Sequence, residues 1–314
     1  MRHSRALGLV LGFAADRVLG DPRRFHPVAG FGRVAGTLEQ RVYADSRLRG
    51  AAYTVTLVGS TTFVALLVER GTRRHPVLHA AATAVVTWAV LGGRSLDHEA
   101  RAVTDLLRTD LPAARRRLTH LVGRDTSVLD PAEVARAVVE SLAENTSDAV
   151  VAPLVLGAVA GIPGLAGQRA ANTLDAMVGH RSTRHERFGW ASARLDDVVN
   201  APGARLSAGL AVLLGDHRGA ALRAWRRDAG GHPSPNAGPV EAAFAGALGV
   251  RLGGANVYDD RVEHRAVLGE GRPVRPEDVD RARTLAARID LAAVLLCALA
   301  ISGRRPRTPR RRGR

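Results

Sequence analysis

The chain has 314 residues, 46% hydrophobic but only 4% aromatic, and its 45 basic residues, all arginine, outweigh 30 Asp and Glu for a net charge of +15. Without lysine it can build neither a P-loop nor a Schiff base to pyridoxal phosphate. With Cys297 as its one cysteine it holds no internal disulfide, cysteine zinc finger or iron–sulfur cluster. An Ala-, Leu- and Val-based core favours packed helices over sheets, and charge spread through loops without aromatic platforms gives no reason to expect a nucleic-acid partner.

The first apolar run, Ala6 to Ala15, is short for a span. Asp16 and Arg17 follow it without a small-residue cleavage site, so it reads as an interfacial or buried helix and not a cleavable signal. Two prolines then break the chain at Gly20–Val28, which displays Asp21 and His26 on a loop at the membrane surface. Ala51–Val68 and Pro76–Gly93 are each 18 residues without Asp, Glu or Arg, close to the length that crosses a bilayer. The residues between them, Glu69–His75, fit the turn of a helical hairpin.

Leu111–Glu144 reads as helices, with Asp130-Pro131-Ala132-Glu133 as an N-cap, first-turn proline and acidic first turn. Glu140, Glu144 and Asp148 follow at i, i+4 and i+8. Stacked on one helix face they repel, unless a cation such as Mg²⁺ or a neighbour such as Arg136 compensates. Ala149–Gly167 is uncharged but broken by Pro153 and Pro163. As a straight span it would hold its flanks about 30 Å apart. As a re-entrant segment it would bring them to one face, and the Gly161-Ile162-Pro163-Gly164 break favours the second arrangement.

Beyond it lies the densest cluster. Asn172, Asp175 and Gly179 form one helical stripe, followed by His180, Arg181, Arg184, His185, Arg187 and Arg194, then Asp196, Asp197 and Asn200. The arginines make a candidate phosphate or carboxylate clamp. His180 and His185 are five apart, wrong for a helical zinc pair, so no zinc is expected. Leu206–Gly215 and Leu291–Ile301 are again short apolar runs, and Gly230–Pro239, carrying Ser234 and Asn236, is a structured loop. The expected fold is therefore all-α: a multi-pass membrane protein with transmembrane and re-entrant or interfacial helices and large polar helical loops. One membrane-embedded domain is expected over 1–303. The Arg-rich run 304–314 is expected to be a disordered tail, cytoplasmic by the positive-inside rule.

Four blocks, GDPRRFHPVAGFGR, RAVVESLAENTSDAVVAPL, ANTLDAMVGHRSTRHERFGWASARLDDVVNAPGARL and SPNAGPVEAAFAGALGVRLGG, together resemble the CobD/CbiB family of membrane-embedded adenosylcobinamide-phosphate synthases. The resemblance runs from about Gly12 to Gly254, with departures at Ala149 and Gly253–Ala255. It implies cobalamin biosynthesis: an amide bond joining adenosylcobyric acid to (R)-1-amino-2-propanol or its O-phosphate, with ATP and Mg²⁺ as driving force. It also implies the lipid bilayer, the corrinoid, the amino alcohol and other late corrinoid-pathway membrane enzymes as partners. The active face would be cytoplasmic, on the inner or plasma membrane.

On that reading Glu140, Glu144, Asp148, Asp175, Asp196 and Asp197 are candidate metal ligands. His26, Asp148, Asp175, His180 and His185 are candidate catalytic groups. Asp21, Asn145, Asn172, Arg181, Arg184, Arg187, Arg194, Asn200, Ser234 and Asn236 are candidate substrate or phosphate contacts. The other class the residues allow is a non-catalytic, AmpE-like signalling, accessory or scaffold protein of the membrane.

Overall fold

The computed structural model describes residues 1–21, 26–180, 182–258 and 261–303; the basic run 304–314 and Arg181 lie outside them. The elements are, in order, α1 (Arg2–Leu19), α2 (Pro27–Val42), α3 (Arg47–Thr72), α4 (Pro76–Val90), α5 (Gly93–Leu107), α6 (Leu111–Leu118), α7 (Pro131–Thr146), α8 (Ala152–Ala160) and α9 (Ile162–Leu174). There follow α10 (Trp190–Leu214), α11 (Arg218–Asp228), α12 (Ala237–Leu248), strands β1 (Val250–Tyr258), β2 (Arg261–Leu268) and β3 (Arg272–Pro273), and α13 (Pro276–Gly303). Prolines occupy the first turns of α2, α4, α6 and α7, where a missing N–H costs nothing. The expected start of α7 is a full capping box, with Asp130 and Glu133 each accepting from the other's backbone N–H.

Among the described residues, three helical stretches are long and apolar enough to cross a membrane: Arg47–Thr72, Pro76–Leu107 and Pro276–Gly303. Their large apolar side chains are turned outward, as with Val55 at 70% exposure and Leu299 at 68%, the arrangement a lipid solvent favours. The protein is a helical membrane protein. The third stretch corrects the expectation for Leu291–Ile301. That short run is the C-terminal part of a 28-residue helix, whose preceding Asp278 and Asp290 are buried against the rest of the molecule.

The turn between α3 and α4 is present, but the two do not form a closely packed pair. α4 packs chiefly on α1 and α3 on α9. The α1–α4 contact is close because Gly8 and Gly12 face Thr83 and Thr87; a Cβ on either glycine would stand 2.5 or 2.4 Å from the threonine Cβ. Small residues one turn apart permit this approach.

Ala149–Gly167 does not run straight. α8 ends at Gly161, whose φ of 73° is closed to ordinary side chains, and α9 returns against α8. Glu69 secures the bend: its carboxylate accepts from the Ile162 N–H at 3.0 Å and from Arg5 Nη2 at 2.8 Å, and lies 3.3 Å from His79 Nε2.

Composition gave no sign of the small sheet, ordered β2-β1-β3, with β1–β2 antiparallel and β1–β3 parallel. A register shift falls between Leu252 and Gly254. At this bulge Gly253 has φ 78°, and a Cβ there would stand 2.1 Å from the Ala266 carbonyl.

Candidate active site

Two π-helical turns, Ser147–Val151 and Asp175–Gly179, interrupt the helices on either side of the α8–α9 excursion. Such turns are uncommon and cost regular hydrogen bonding, so they tend to survive where they aim a functional side chain. Here they carry Asp148 and Asp175. Gly179 closes the second: a Cβ on it would stand 1.9 Å from Asp175 Oδ1, so only glycine lets this carboxylate fold over the turn.

Because the excursion returns, the separate patches meet. Gln168 of α9 donates to the Asp148 carbonyl at 2.9 Å and to Asn200 Oδ1 at 2.8 Å, and Asn200 donates to Asp196 Oδ1 at 2.7 Å. Glu144, Asp148, Asp175 and Asp196 stand near enough to shift one another's ionisation. Burial, then Glu144 and Asp196, hold the Asp148 carboxyl well above its usual range. Burial also raises Glu144 and Asp175, and burial followed by Asp175 brings Asp196 to about 7. Glu144 remains exposed to water although protein surrounds it, so it lines a cleft. Several like charges in a partly dry cleft demand a proton or an incoming cation.

Not all the candidate residues join this group. Glu140, a candidate metal ligand from sequence, is bonded here as a structural anchor. One oxygen takes Arg124 Nη2 at 2.6 Å, and the other takes the Gly253 N–H at 2.9 Å and faces Arg136 Nη1 at 3.5 Å. Arg136 also donates to the Gly253 carbonyl, so the pair pins the β-bulge to α7. Asp197 pairs with Arg194 at 3.0 Å. Arg184 and His185 both bind Glu39 of α2, at 3.2 and 3.0 Å, and Arg187 pairs with Asp45 at 3.4 Å. Arg184, Arg187 and Arg194 are therefore tied to neighbouring carboxylates and form no open clamp, and His185 fastens its loop to α2.

His26 accepts the Val28 N–H at 3.2 Å to cap α2, with its other nitrogen 3.5 Å from Asp21. His180, exposed at the end of the second π-turn, lies near enough to Asp175 and Glu144 to act on both through space. Asn145 donates back to the Ser141 carbonyl at 3.0 Å. Ser234 Oγ accepts the Ala237 N–H at 3.1 Å to start α12, and Asn236 donates to the Asp197 carbonyl at 2.9 Å while receiving Arg205 at 2.8 Å. Both shape the loop beside the cleft.

Four residues that the sequence did not single out belong here. Gln168 links the two acidic patches. Asp16, buried in α1, accepts the Arg94 N–H at 3.2 Å and is raised to about 6, chiefly by burial. Glu241, buried in α12, lies 3.5 Å from His232 Nε2; burial, then Glu140 and Glu144, push it well up. Arg169 donates from Nε to the Val90 carbonyl at 2.6 Å and from Nη1 to Asn172 Oδ1 at 3.3 Å. A lone charge in the apolar stretch of α12 was the available signal for Glu241. Nothing local marked Gln168 or Arg169.

Among the described residues, no three His, Cys, Asp or Glu side chains stand close enough to hold a metal ion by themselves. The cleft offers hard oxygens from Glu144, Asp148, Asp175, Asp196, Asn172 and Asn200 without assembling them into a cage. One or two of these carboxylates could serve a Mg²⁺ that keeps waters and phosphate oxygens as its other ligands.

These features define a class: a helical membrane protein whose re-entrant helix pair gathers carboxylates and amides from distant segments into one water-accessible cleft. The family model for CobD/Cbib protein matches residues 9–286, and the chain belongs to that family. It is similar to "Cobalamin biosynthesis protein CobD" of Mycobacterium tuberculosis (strain ATCC 25618 / H37Rv), 49% identical over 310 residues that cover 96% of this chain and 98% of the relative. It is likewise similar to the proteins so named in Stutzerimonas stutzeri (strain A1501), 45% identical over 284 residues covering 89% and 92%, and in Rhodobacter capsulatus, 43% identical over 303 residues covering 93% and 96%. No solved structure matches the chain.

Proposed function

We propose that this protein, a member of a cobalamin-biosynthesis family, is the ligase that joins the free propionate of adenosylcobyric acid to (R)-1-amino-2-propanol or its O-phosphate. A carboxylate does not accept an amine at neutral pH, so the propionate must first attack a phosphorus of ATP, expelling ADP or pyrophosphate, and become a mixed anhydride. The amine then attacks the acyl carbon, phosphate or nucleotide leaves with the C–O electrons, and the ammonium proton passes to a base. The observation that carries this reading is the convergence of Glu144, Asp148, Asp175 and Asp196 on one cleft, with Asn172, Asn200 and Gln168 orienting them.

Mg²⁺, arriving with ATP, would neutralise charge on the phosphates. Asp148 and Asp175, on their π-turns, are the carboxylates assigned to receive it, which suits an ion that needs only one or two protein ligands. His180, exposed at the rim beside Asp175, is the group assigned to accept the amine's proton. The active face is proposed to be cytoplasmic, where ATP is supplied.

The test is to incubate the detergent-purified protein with adenosylcobyric acid, aminopropanol phosphate and Mg-ATP and to search for the amide by mass. Formation of the amide by wild type, and a loss of at least about 100-fold in folded Asp148→Ala and Asp175→Ala, supports the ligase. A wild-type protein that makes none, alone or with other late corrinoid-pathway enzymes, would return it to the scaffold class.

A further inference from the structure

Of the arginines that sequence offered as a clamp, Arg184, Arg187 and Arg194 are committed to carboxylates, whereas Arg169 is not. Its guanidinium is fixed by two neutral acceptors, the Val90 carbonyl and the Asn172 amide oxygen. Thr173, one turn on, donates to the Arg169 carbonyl at 2.7 Å and fastens the same turn of α9. Among the described residues Nη2 has no acceptor, and it faces Gly92, where a Cβ would stand 3.4 Å away. Asp16, Asp21 and Asp148 surround the guanidinium and act on it through space, yet none of the three comes within ion-pair distance. Burial pulls the pKa of Arg169 down, but a guanidinium is charged at neutral pH, and one held by neutral groups keeps an oriented pair of N–H donors for something else.

We propose that Arg169 receives a phosphoryl oxyanion of the bound substrates, donating through Nη2, and that it does so for an oxyanion accompanied by a divalent cation. The surrounding carboxylates would repel a bare anion, while a magnesium-complexed phosphate brings positive charge to Asp148 and a free oxygen to Arg169. The proposal rests on the ligase reading for the identity of the phosphate, which belongs either to the nucleotide or to the amino alcohol phosphate.

The experiment measures binding by calorimetry on the full-length protein in detergent, for wild type, Arg169→Lys and Arg169→Gln. The ligands are a non-hydrolysable ATP analogue, aminopropanol O-phosphate and free aminopropanol, each with and without Mg²⁺. Arg169 itself is followed in wild type by modification with an arginine-directed dicarbonyl and peptide mass mapping, which needs no variant to fold. The expected result is Mg²⁺-dependent binding of one phosphorylated ligand, weakened 10-fold or more in both variants, with the same ligand protecting Arg169 from modification. Nucleotide dependence assigns the oxyanion to ATP. Dependence confined to aminopropanol phosphate, with free aminopropanol unaffected, makes Arg169 the residue that selects the phosphorylated amino alcohol.

Absence of phosphorylated-ligand binding in wild type, unchanged binding in both variants, or equal modification of Arg169 with and without ligand would overturn the proposal. Arg169-dependent binding in a protein that forms no amide would leave this inference standing and remove the ligase. Amide formation with Arg169-independent binding would do the reverse.

Discussion

At the residue scale, the cleft's carboxylates are held in a state that folding does not favour. Asp196 is raised to about 7 from its ordinary value of 3.8, so between those values the folded protein binds a proton that the unfolded chain releases. Stability from this group is therefore greatest below about pH 4 and falls as pH rises toward 7. Asp196→Asn should raise stability at pH 8 by up to about 4 kcal/mol if the shift is taken whole, seen as a higher unfolding midpoint. It should change little at pH 4 and should abolish amide formation; thermal unfolding at the two pH values checks this. Glu140 and Glu144 should separate cleanly although one helical turn apart. Glu140→Gln breaks the buried Arg124–Glu140 ion pair and should cost about 3–5 kcal/mol, read as loss of folded protein in detergent. Glu144→Gln, whose side chain is exposed, should fold and lose activity. The i, i+4, i+8 spacing was legible in sequence, but which member faces a guanidinium 16 residues away was not.

Among the elements, the α8–α9 excursion decides whether there is a site. Gly161 sits at φ 73° and ψ −147°, and a Cβ there would lie 2.7 Å from both Arg5 Nη2 and Glu69 Oε2. Gly161→Ala should cost about 1–3 kcal/mol of backbone strain beyond displacing the Glu69 anchor, measured as a lower unfolding midpoint together with weaker ligand binding at the distant cleft. The Pro and Gly punctuation showed that this segment breaks. It did not show that Glu69, on another helix, would hold the bend. The Asp130 capping box was legible throughout, because all its partners lie within four residues; Asp130→Ala should cost about 1 kcal/mol, seen in the unfolding midpoint without loss of activity. The β-hairpin escaped an all-α reading because its bulge depends on Arg136 and Glu140 of α7.

For the molecule as a whole, the outward apolar faces of α3 and α13 predict the membrane geometry. With Cys297 replaced by alanine, single cysteines at Val55 and Leu299 should resist a water-soluble thiol reagent in vesicles. Cysteines at His180 and Ser234 should react from one common side, the side proposed to hold ATP. Reaction of those two from opposite sides would dismantle the single cleft and the chemistry proposed for it.

Composition and periodicity alone determined that this chain is helical and seeks a membrane, and the order of its polar blocks determined its family, because those properties are carried by residues a few positions apart. The tertiary structure decided which charges are free to act. Glu140, Arg184, His185 and Arg187 found partners from other segments of the chain, while Arg169 and Gln168 were drawn to the centre. A side chain's chemical role follows from which distant groups share its low-dielectric surroundings, and that proximity exists only once the chain has turned back at Gly161.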